Sequence, residues 1–287
     1  MTATDDRRES AERGDPVGGG VPAQRPAPGR ARVNGQGSPG HEPRKVLVTG
    51  GSSGIGAATA AVFAARGFSV AVAGRDPAVL GQVAAETGAV GIPGDLRDRG
   101  VPQATVEAAA DALGGLDVVV SNAGIGWAGP FAAMTEEEID ALLDVNLRAA
   151  AKLTRASLRY LRTGRGHLVF VGSIAGVVGV TGEAWYSATK AGLTTLAGVL
   201  RAELKGEGIG VTLVTPGVVD TPYFERRNVP YQRHYPRPVS AKVVADLIAD
   251  AVAHHRDEVI VPGWLLLPAR LKVSFPRLYR LLESRLA

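Results

Sequence analysis

Short apolar runs alternate with longer amphipathic stretches along the chain from Arg44 onward. Seven of these runs are rich in Val, Ile and Leu and have the length of buried strands. They are KVLVTG (45–50), FSVAVAG (68–74), AVGIPGD (89–95), LDVVVSNAG (116–124), HLVFVGS (167–173), IGVTLVTPG (209–217) and EVIVPG (258–263). Helical patterns lie between them, including residues 57–66, 136–161 and 185–204. The alternation predicts a single α/β domain of the Rossmann type, a doubly wound seven-stranded parallel sheet that binds its ligand beyond the carboxyl ends of the strands.

The two ends of the chain depart from this pattern. Residues 1–43 contain 8 Gly and 6 Pro and have no apolar period, so they are predicted to be a disordered tail. Residues 44–262 form the predicted folded domain. Residues 263–287 mix Trp, Leu, Val and Phe with Arg270, Lys272, Arg277, Arg280 and Arg285, and form a predicted amphipathic basic extension. Three interpretations of this extension stay open: contact with a membrane surface, a cover over the substrate site, or packing against another subunit.

Composition narrows the class of protein. The chain has no cysteine, which excludes disulfides and thiol nucleophiles, and its five histidines form no HExxH pair, so no metal is predicted. Lys and Arg outnumber Asp and Glu 8 to 6 in residues 1–45 and 5 to 1 in residues 264–287, whereas the central part is slightly acidic. Nucleic acid is therefore not an expected partner. The N-terminal tail has no apolar h-region, and we expect a cytoplasmic protein, with peripheral membrane contact left open.

A glycine-rich loop follows the first predicted strand, with the sequence TGGSSGIG at 49–56. Glycines allow the backbone to turn tightly and to approach a pyrophosphate, and the following helix offers free amides and the positive end of its dipole. The position of the loop at the start of a βαβ unit makes it a specific signal for dinucleotide binding. The predicted cofactor contacts in the loop are Gly50, Ser52, Ser53, Gly54, Ile55 and Gly56.

The Gly-x-x-x-Gly-x-Gly spacing of this loop resembles that of the short-chain dehydrogenase/reductase family, and the resemblance covers about residues 44–262. Ser121-Asn122-Ala123-Gly124 is similar to the family's Asn-Asn-Ala-Gly element, with Ser in the first place. The resemblance implies that residues 44–262 are a dinucleotide-binding catalytic domain. It also implies further cofactor contacts at Asp95 and Leu96 for adenine, at Asn122, Ala123 and Gly124, and at Pro216, Gly217, Val219 and Thr221 around the nicotinamide.

The end of the second predicted strand indicates which dinucleotide binds. A carboxylate at this place would accept hydrogen bonds from the ribose 2′-hydroxyl of NAD and repel a 2′-phosphate. The chain has Gly74 there, followed by Arg75, whose guanidinium can bind a phosphate through paired donors. Ser52 adds a hydroxyl nearby. The sequence therefore predicts NADP(H), although Asp76 keeps NAD open.

A tyrosine and a lysine stand four residues apart in Tyr186-Ser187-Ala188-Thr189-Lys190. On a helix this spacing places the two side chains on one face, where a cation lowers the pKa of a phenol towards the range useful for proton transfer. Ser173 follows the fifth strand, and Asn146 lies within the preceding helical run, where a buried amide needs a partner. The family uses an Asn-Ser-Tyr-Lys tetrad in this order. The resemblance implies that Tyr186 transfers the proton, Ser173 binds the substrate oxygen, Lys190 lowers the tyrosine pKa and binds the nicotinamide ribose, and Asn146 holds a relay water.

A substrate-covering lid is expected at about residues 222–240. Its aromatic residues Tyr223, Phe224, Tyr231 and Tyr235 either line an apolar pocket or pack the lid, and Arg226 and Arg227 either attract an anionic group or are solvated. Trp127 and Phe131 are expected to form the opposite wall.

The leading hypothesis is an oxidoreductase that transfers a hydride between NADP(H) and an apolar ketone, aldehyde or secondary alcohol. The alternatives are a 3-oxoacyl-thioester reductase and a non-catalytic nucleotide-binding regulator. The resemblance also implies a homodimer or homotetramer. The substrate and the physiological direction are not encoded in these motifs.

Overall fold

The computed structural model of the protein describes residues 42–162, 166–227, 229–231, 236–279 and 281. The predicted disordered tail falls on residues 1–43, and all of it except Glu42 and Pro43 lies outside the described residues, as do Tyr235 of the lid and most of residues 280–287. Within the described part, residues 44–262 fold as one α/β domain.

Seven parallel strands form the central sheet, and each coincides with one of the seven predicted apolar runs. The strands are β1 (Lys45–Thr49), β2 (Ser69–Gly74), β3 (Val90–Pro93), β4 (Val118–Ser121), β5 (His167–Val171), β6 (Gly210–Pro216) and β9 (Glu258–Val261). Their order in the sheet is β3-β2-β1-β4-β5-β6-β9. From β1 the chain adds β2 and β3 on one side of the sheet, and from β4 onward it adds strands on the other side. The crevice between the two halves lies at the carboxyl ends of β1 and β4. A separate two-residue pair joins β7 (Val219–Asp220) to β8 (Val239–Ser240).

Helices cover both faces of the sheet. They are α1 (Gly54–Ala65), α2 (Pro77–Thr87), α3 (Val101–Leu113), α4 (Glu136–Leu143), α5 (Ala149–Leu161), α6 (Ala175–Val178), α7 (Ala184–Leu204), α8 (Tyr223–Arg226), α9 (Ala241–Ala253) and α10 (Leu266–Ser274). The predicted helical run 136–161 is divided by a π-helical segment at Asp144–Arg148. Such a segment is a local widening of the helix that is frequent at functional sites.

The alternation of side chains along each strand builds two apolar layers. Val46 and Val48 of β1 point to one face, where they share a fully buried cluster with Ile248 of α9. Leu47 points to the other face and is buried with Leu153 of α5 and Leu193 of α7. Because helices cover both faces, the strands are mostly apolar, and polar residues that follow several of them lie at the crevice.

Candidate active site

The glycine-rich loop is shaped by close backbone approaches. Gly50 has φ +64°, and a Cβ added to it would lie 2.9 Å from Cα of Ala123. A Cβ added to Gly56 would lie 2.1 Å from the Gly50 carbonyl oxygen, so α1 can begin this close to the loop only with glycine at that position. The loop is therefore held directly against the end of β4, with the first turn of α1 behind it.

Asn122 ties the end of β4 to the end of β1. Its Nδ2 donates to the carbonyl oxygen of Thr49 at 2.9 Å and to that of Gly50 at 3.3 Å. The Thr49 hydroxyl in turn accepts from the backbone amides of Asn122 and Ala123 at 3.1 and 3.2 Å. These contacts fix the loop relative to β4.

A cavity of about 870 Å³ lies at the carboxyl ends of the strands. Its volume falls in the range of cofactor and ligand sites. Most of the predicted cofactor contacts line it, namely Gly50, Ser52, Ser53, Gly54, Ile55, Arg75, Asp95, Leu96, Asn122, Ala123, Gly124, Tyr186, Lys190, Pro216, Gly217, Val219 and Thr221. Gly56 does not line the cavity, and its place in the structure is the close approach of α1 to Gly50.

The end of β2 presents a cation to the cavity. Arg75 is exposed and makes no hydrogen bond or ion pair with any described residue. Asp76 does not line the cavity, and its Oδ1 accepts from the amides of Ala78 and Val79 at 2.9 and 3.2 Å as the N-cap of α2. The Asp95 carboxylate pairs with Arg97 at 2.7 Å, and this hydrogen bond lowers the pKa of Asp95.

Tyr186 lies on the first turn of α7 with its side chain buried in the site. Burial raises the pKa of its phenol, although the nearby hydroxyls of Tyr223 and Ser173 oppose the rise. Desolvation of the phenolate is the largest influence, and the lowering of this pKa by Lys190 that the sequence predicts stays a prediction. The phenol is therefore protonated at neutral pH and is an acid in this environment.

Lys190 lies one turn further along α7 and is also buried. Its Nζ donates to the carbonyl oxygen of Val171 at the end of β5 at 2.9 Å. Burial lowers the pKa of Lys190 to about 8. The ammonium form still predominates at pH 7, and the side chain is placed to donate two further hydrogen bonds into the cavity.

Asn146 lies in the π-helical segment and is 1% exposed. Its Oδ1 accepts from the amide of Ile125 at 2.9 Å, and its Nδ2 donates to the carbonyl oxygen of Ile125 at 3.0 Å and to Oγ1 of Thr189 at 3.1 Å. A Cβ added to Gly124 would lie 3.3 Å from both Asn146 Oδ1 and Lys190 Nζ. The amide and the ammonium therefore approach the same small space, although Asn146 does not itself line the cavity.

The lid brings a second tyrosine to the site. The ring centroids of Tyr223 on α8 and Tyr186 are 5.9 Å apart. Arg227, also in the lid, lies 4.6 Å from the ring centroid of Phe224 and forms an ion pair with Glu183, which immediately precedes α7. The two side chains of this pair are only 7% and 14% exposed. The lid is thus attached to the start of the helix that carries Tyr186.

Arg226 contradicts neither of the alternatives left open for it, whereas Trp127 and Phe131 differ from the sequence-based expectation. Arg226 Nη1 donates to the Ser53 hydroxyl of the glycine-rich loop at 2.9 Å. Trp127 and Phe131 do not line the cavity, and Phe131 is 56% exposed. The backbone after β4 turns so that small residues face the cavity, including Gly126 and Ala128, whereas the Trp127 ring packs over Gly129.

The C-terminal extension contributes to the cavity wall. Trp264, Leu265 and Pro268 line it, and Leu265 fills the space beside Gly217, where an added Cβ would lie 2.7 Å from Leu265 Cδ1. Lys272 Nζ donates to the carbonyl oxygens of Val177 and Val178 at 3.3 and 2.8 Å, at the end of α6. This part of the extension therefore covers the site, one of the three interpretations that the sequence leaves open. None of the described helices is long and apolar enough to cross a membrane.

A parallel sheet with a glycine-rich loop at its crevice and a tyrosine–lysine pair beyond β5 defines a nucleotide-dependent oxidoreductase of the Rossmann class. The sequence profile of the short chain dehydrogenase family matches residues 44–231. The protein belongs to this family. It is accordingly an oxidoreductase that acts on a small molecule with a nicotinamide cofactor.

The matches to relatives and to solved structures cover most of the chain. A protein named ketoacyl reductase HetN from Nostoc sp. is 35% identical over 229 residues, 76% of this chain and 78% of the relative. A putative ketoacyl reductase of monensin polyketide synthase from Streptomyces virginiae is 40% identical over 200 residues, 67% of this chain and 77% of the relative. The crystal structure of a short chain dehydrogenase from Burkholderia cenocepacia J2315 in complex with NADP is 34% identical, with a TM-score of 0.68, and the match covers 77% of this chain and 96% of that chain.

Proposed function

We propose that the protein is an NADP(H)-dependent carbonyl reductase or alcohol dehydrogenase that uses Tyr186 to transfer the proton. The observation that carries this proposal is that three side chains of the predicted catalytic set line the same cavity as the glycine-rich loop. Ser173, Tyr186 and Lys190 line that cavity, and Asn146 approaches Lys190 from behind it. A cofactor-binding regulator without catalysis would have no need for this set.

The described residues fit the proposed cofactor. The glycine-rich loop lines the cavity at the start of α1, where a pyrophosphate would bind, and an added Cβ at Gly50 or Gly56 would collide with neighbouring backbone, so glycine is needed for the loop to take this path. Arg75 is an exposed cation on the cavity wall without a described partner, and Asp76 is occupied as a helix cap. This arrangement supports NADP(H) over NAD(H), and the NADP complex of the Burkholderia relative agrees with it. When bound, the cofactor supplies or accepts the hydride.

We assign the following roles to the site residues. Tyr186 is protonated at neutral pH, because burial raises its pKa, and it donates its proton to the substrate oxygen during reduction. The Ser173 hydroxyl lies beside Tyr186 and donates a hydrogen bond to the same oxygen. Lys190 keeps two donors free for the nicotinamide ribose while it is held by Val171. Asn146 positions a water that supplies protons to Lys190.

The substrate is proposed to be an apolar ketone, aldehyde or secondary alcohol. Apolar side chains form much of the wall beyond Tyr186, with Val178, Val180, Phe224, Leu265 and Pro268 among them. A second candidate is a 3-oxoacyl thioester, which the ketoacyl reductases among the relatives favour.

The test of the proposed function is the oxidation of NADPH with a series of methyl ketones of increasing chain length. We expect kcat/KM to rise with chain length and to fall at least about a thousandfold in Tyr186→Phe, which removes the proton donor. Tyr160→Phe is the matched control, since its hydroxyl accepts from Arg159 on α5, far from the cavity. Equal activity of Tyr186→Phe and wild type would refute the assignment of Tyr186, and NADPH binding without turnover of any carbonyl would favour a regulator.

We also propose that the protein is a cytoplasmic homodimer or homotetramer and that its C-terminal surface contacts membranes peripherally. The exposed face of α10 carries Leu266, Leu267 and Val273, which are 40%, 69% and 80% exposed. Phe275 follows at 62%. An apolar patch of this kind on a protein surface marks an interaction site.

A further inference from the structure

Arg226 in the lid contacts the glycine-rich loop, and the proposed function gives it no role. Its Nη1 donates to the Ser53 hydroxyl at 2.9 Å across 173 positions of the chain, and both residues line the cavity. The start of the lid also packs on the loop, since a Cβ added to Gly54 would lie 3.0 Å from Cγ2 of Thr221. The Arg226 guanidinium is therefore held where the loop passes into α1.

The amino end of α1 has no acidic side chain that balances this cation. Ser53 is the N-cap residue, but its side chain caps no amide, and the first turn of α1 contains no acid. The first amides of a helix have no partner within the helix, and the helix dipole places partial positive charge there. Arg226 is exposed and forms no ion pair with a described residue. A guanidinium at this end of a helix is unfavourable unless an anion binds to both.

The cofactor of the proposed function carries such an anion. A dinucleotide bound at a glycine-rich loop has its diphosphate at the amino end of the helix that follows. Arginine binds phosphate oxygens through paired donors. Arg75 lies at the end of β2, where it is assigned to the 2′-phosphate, so the two arginines are placed for two different phosphate groups of one cofactor.

We propose that Arg226 binds the diphosphate of the cofactor, and that the bound cofactor thereby holds α8 against the glycine-rich loop. The inference rests on the proposed function. Two other residues of α8 line the cavity, Tyr223 beside Tyr186 and Phe224 next to it. The cofactor thus helps to position one wall of the substrate site.

The experiment measures dissociation constants for three ligands in wild type and in Arg226→Gln. NADPH and NADH are followed by their fluorescence, and adenosine 2′-monophosphate, which has no diphosphate, is measured by competition with NADPH. We expect Arg226→Gln to raise the Kd of both dinucleotides by one common factor of about tenfold or more, because a hydrogen bond between charged groups is lost. The Kd of adenosine 2′-monophosphate should stay the same. Arg75→Ala should instead weaken NADPH and adenosine 2′-monophosphate more than NADH.

Thermal unfolding with and without NADPH separates binding from a purely structural role. An arginine that only attached the lid to the loop would, when replaced, lower the Tm of the free protein and leave the rise in Tm on adding NADPH unchanged. We expect the opposite for Arg226→Gln. The Tm of the free protein should be kept or rise, because a cation leaves the positive end of α1, and the rise on adding NADPH should shrink.

Two matched variants control for the charge. Arg226→Lys keeps the cation and should recover part of the affinity for both dinucleotides. Arg155→Gln removes an exposed cation from α5, away from the cavity, and should bind all three ligands as the wild type does.

The outcomes distinguish the inference from the function on which it rests. An unchanged Kd for both dinucleotides in Arg226→Gln would overturn the role of Arg226 while leaving the reductase intact. An equal loss for adenosine 2′-monophosphate would also overturn it, since that result indicates a general effect of charge. Failure of the wild type to bind either dinucleotide would instead overturn the proposed function, and the inference with it.

Discussion

Arg75 is the residue on which cofactor choice depends in this structure. Its guanidinium stands at the end of β2 without a described partner, where a 2′-phosphate would provide one. Hydrogen bonds between charged groups contribute about 1.5–3 kcal/mol, or roughly 10- to 100-fold in binding. We expect Arg75→Ala to reduce the ratio of kcat/KM for NADPH to that for NADH by a factor in this range. Arg155→Ala, which removes an exposed cation from α5, is the control, and an unchanged ratio in Arg75→Ala would contradict the assignment.

His167 makes the stability of the protein depend on pH. Its Nε2 lies 2.8 Å from the Thr212 hydroxyl, and its Nδ1 is buried without a hydrogen-bond partner among the described residues. Burial lowers its pKa to about 4, with smaller contributions from His255 and Arg44. The unfolded chain binds this proton near pH 6.5, whereas the folded chain does not, so stability is lost as the pH falls from about 6.5 to about 4. The shift corresponds to about 3 kcal/mol over that window.

The measurement for His167 is urea unfolding at several pH values between 7.5 and 4.5, compared with His167→Gln. The glutamine amide retains a donor towards Thr212 but does not titrate. We expect the free energy of unfolding of the wild type to fall more steeply with decreasing pH than that of the variant. Parallel curves would show that His167 does not cause the loss.

Among the elements, the lid and α7 are joined by the Glu183–Arg227 ion pair. Removing one partner leaves the other charge buried, which costs on the order of 3 kcal/mol. We expect Glu183→Gln to lower the free energy of unfolding by this amount and to raise KM, because the lid that carries Tyr223 loses its attachment. Glu207→Gln removes the acid of the exposed Arg162–Glu207 pair and should have a smaller effect. Similar stabilities of the two variants would contradict a buried ion pair at the lid.

The same elements show what the sequence can and cannot predict. All seven sheet strands coincide with apolar runs, and for the central strands the reason is burial on both faces, which gives a pattern that the local sequence carries. The residues that follow these strands meet at the crevice because the strands are parallel and their carboxyl ends lie at one edge of the sheet. Loops have no such period, so the sequence does not predict which loop side chains reach the cavity. Trp127 does not line it, and Tyr223 lies beside Tyr186, because of the path that the loops take in space. The four-residue spacing on a helix indicates that Tyr186 lies near Lys190 but not how deeply it is buried, so the rise of its pKa on burial could not be predicted from the sequence.

At the scale of the whole molecule, the segment that contributes to the cavity wall also carries an exposed apolar surface. That surface consists of Leu266, Leu267, Val273, Phe275 and Leu278, all at least 40% exposed. Leu265 and Pro268, in the same segment, line the cavity. Described residues 263–279 include no acid and three cations. Lys272 is bound to the carbonyl oxygens of Val177 and Val178, and the exposed Arg270 and Arg277 match an anionic lipid surface better than a second copy of this extension. An apolar substrate dissolved in lipid would then enter the cavity from the membrane side.

This arrangement predicts binding to anionic vesicles. We expect the protein to co-sediment with vesicles of phosphatidylcholine and phosphatidylglycerol, less with phosphatidylcholine alone, and less at high salt. The triple variant Leu267→Ser, Val273→Ser and Phe275→Ser should reduce binding about tenfold or more, because the apolar contribution is lost. The matched control changes two exposed valines elsewhere, Val199→Ser and Val243→Ser, on α7 and α9. Equal sedimentation of the triple variant, or a lower molecular mass of that variant in light scattering, would instead assign the surface to a contact between subunits and would remove the support for a lipid partner.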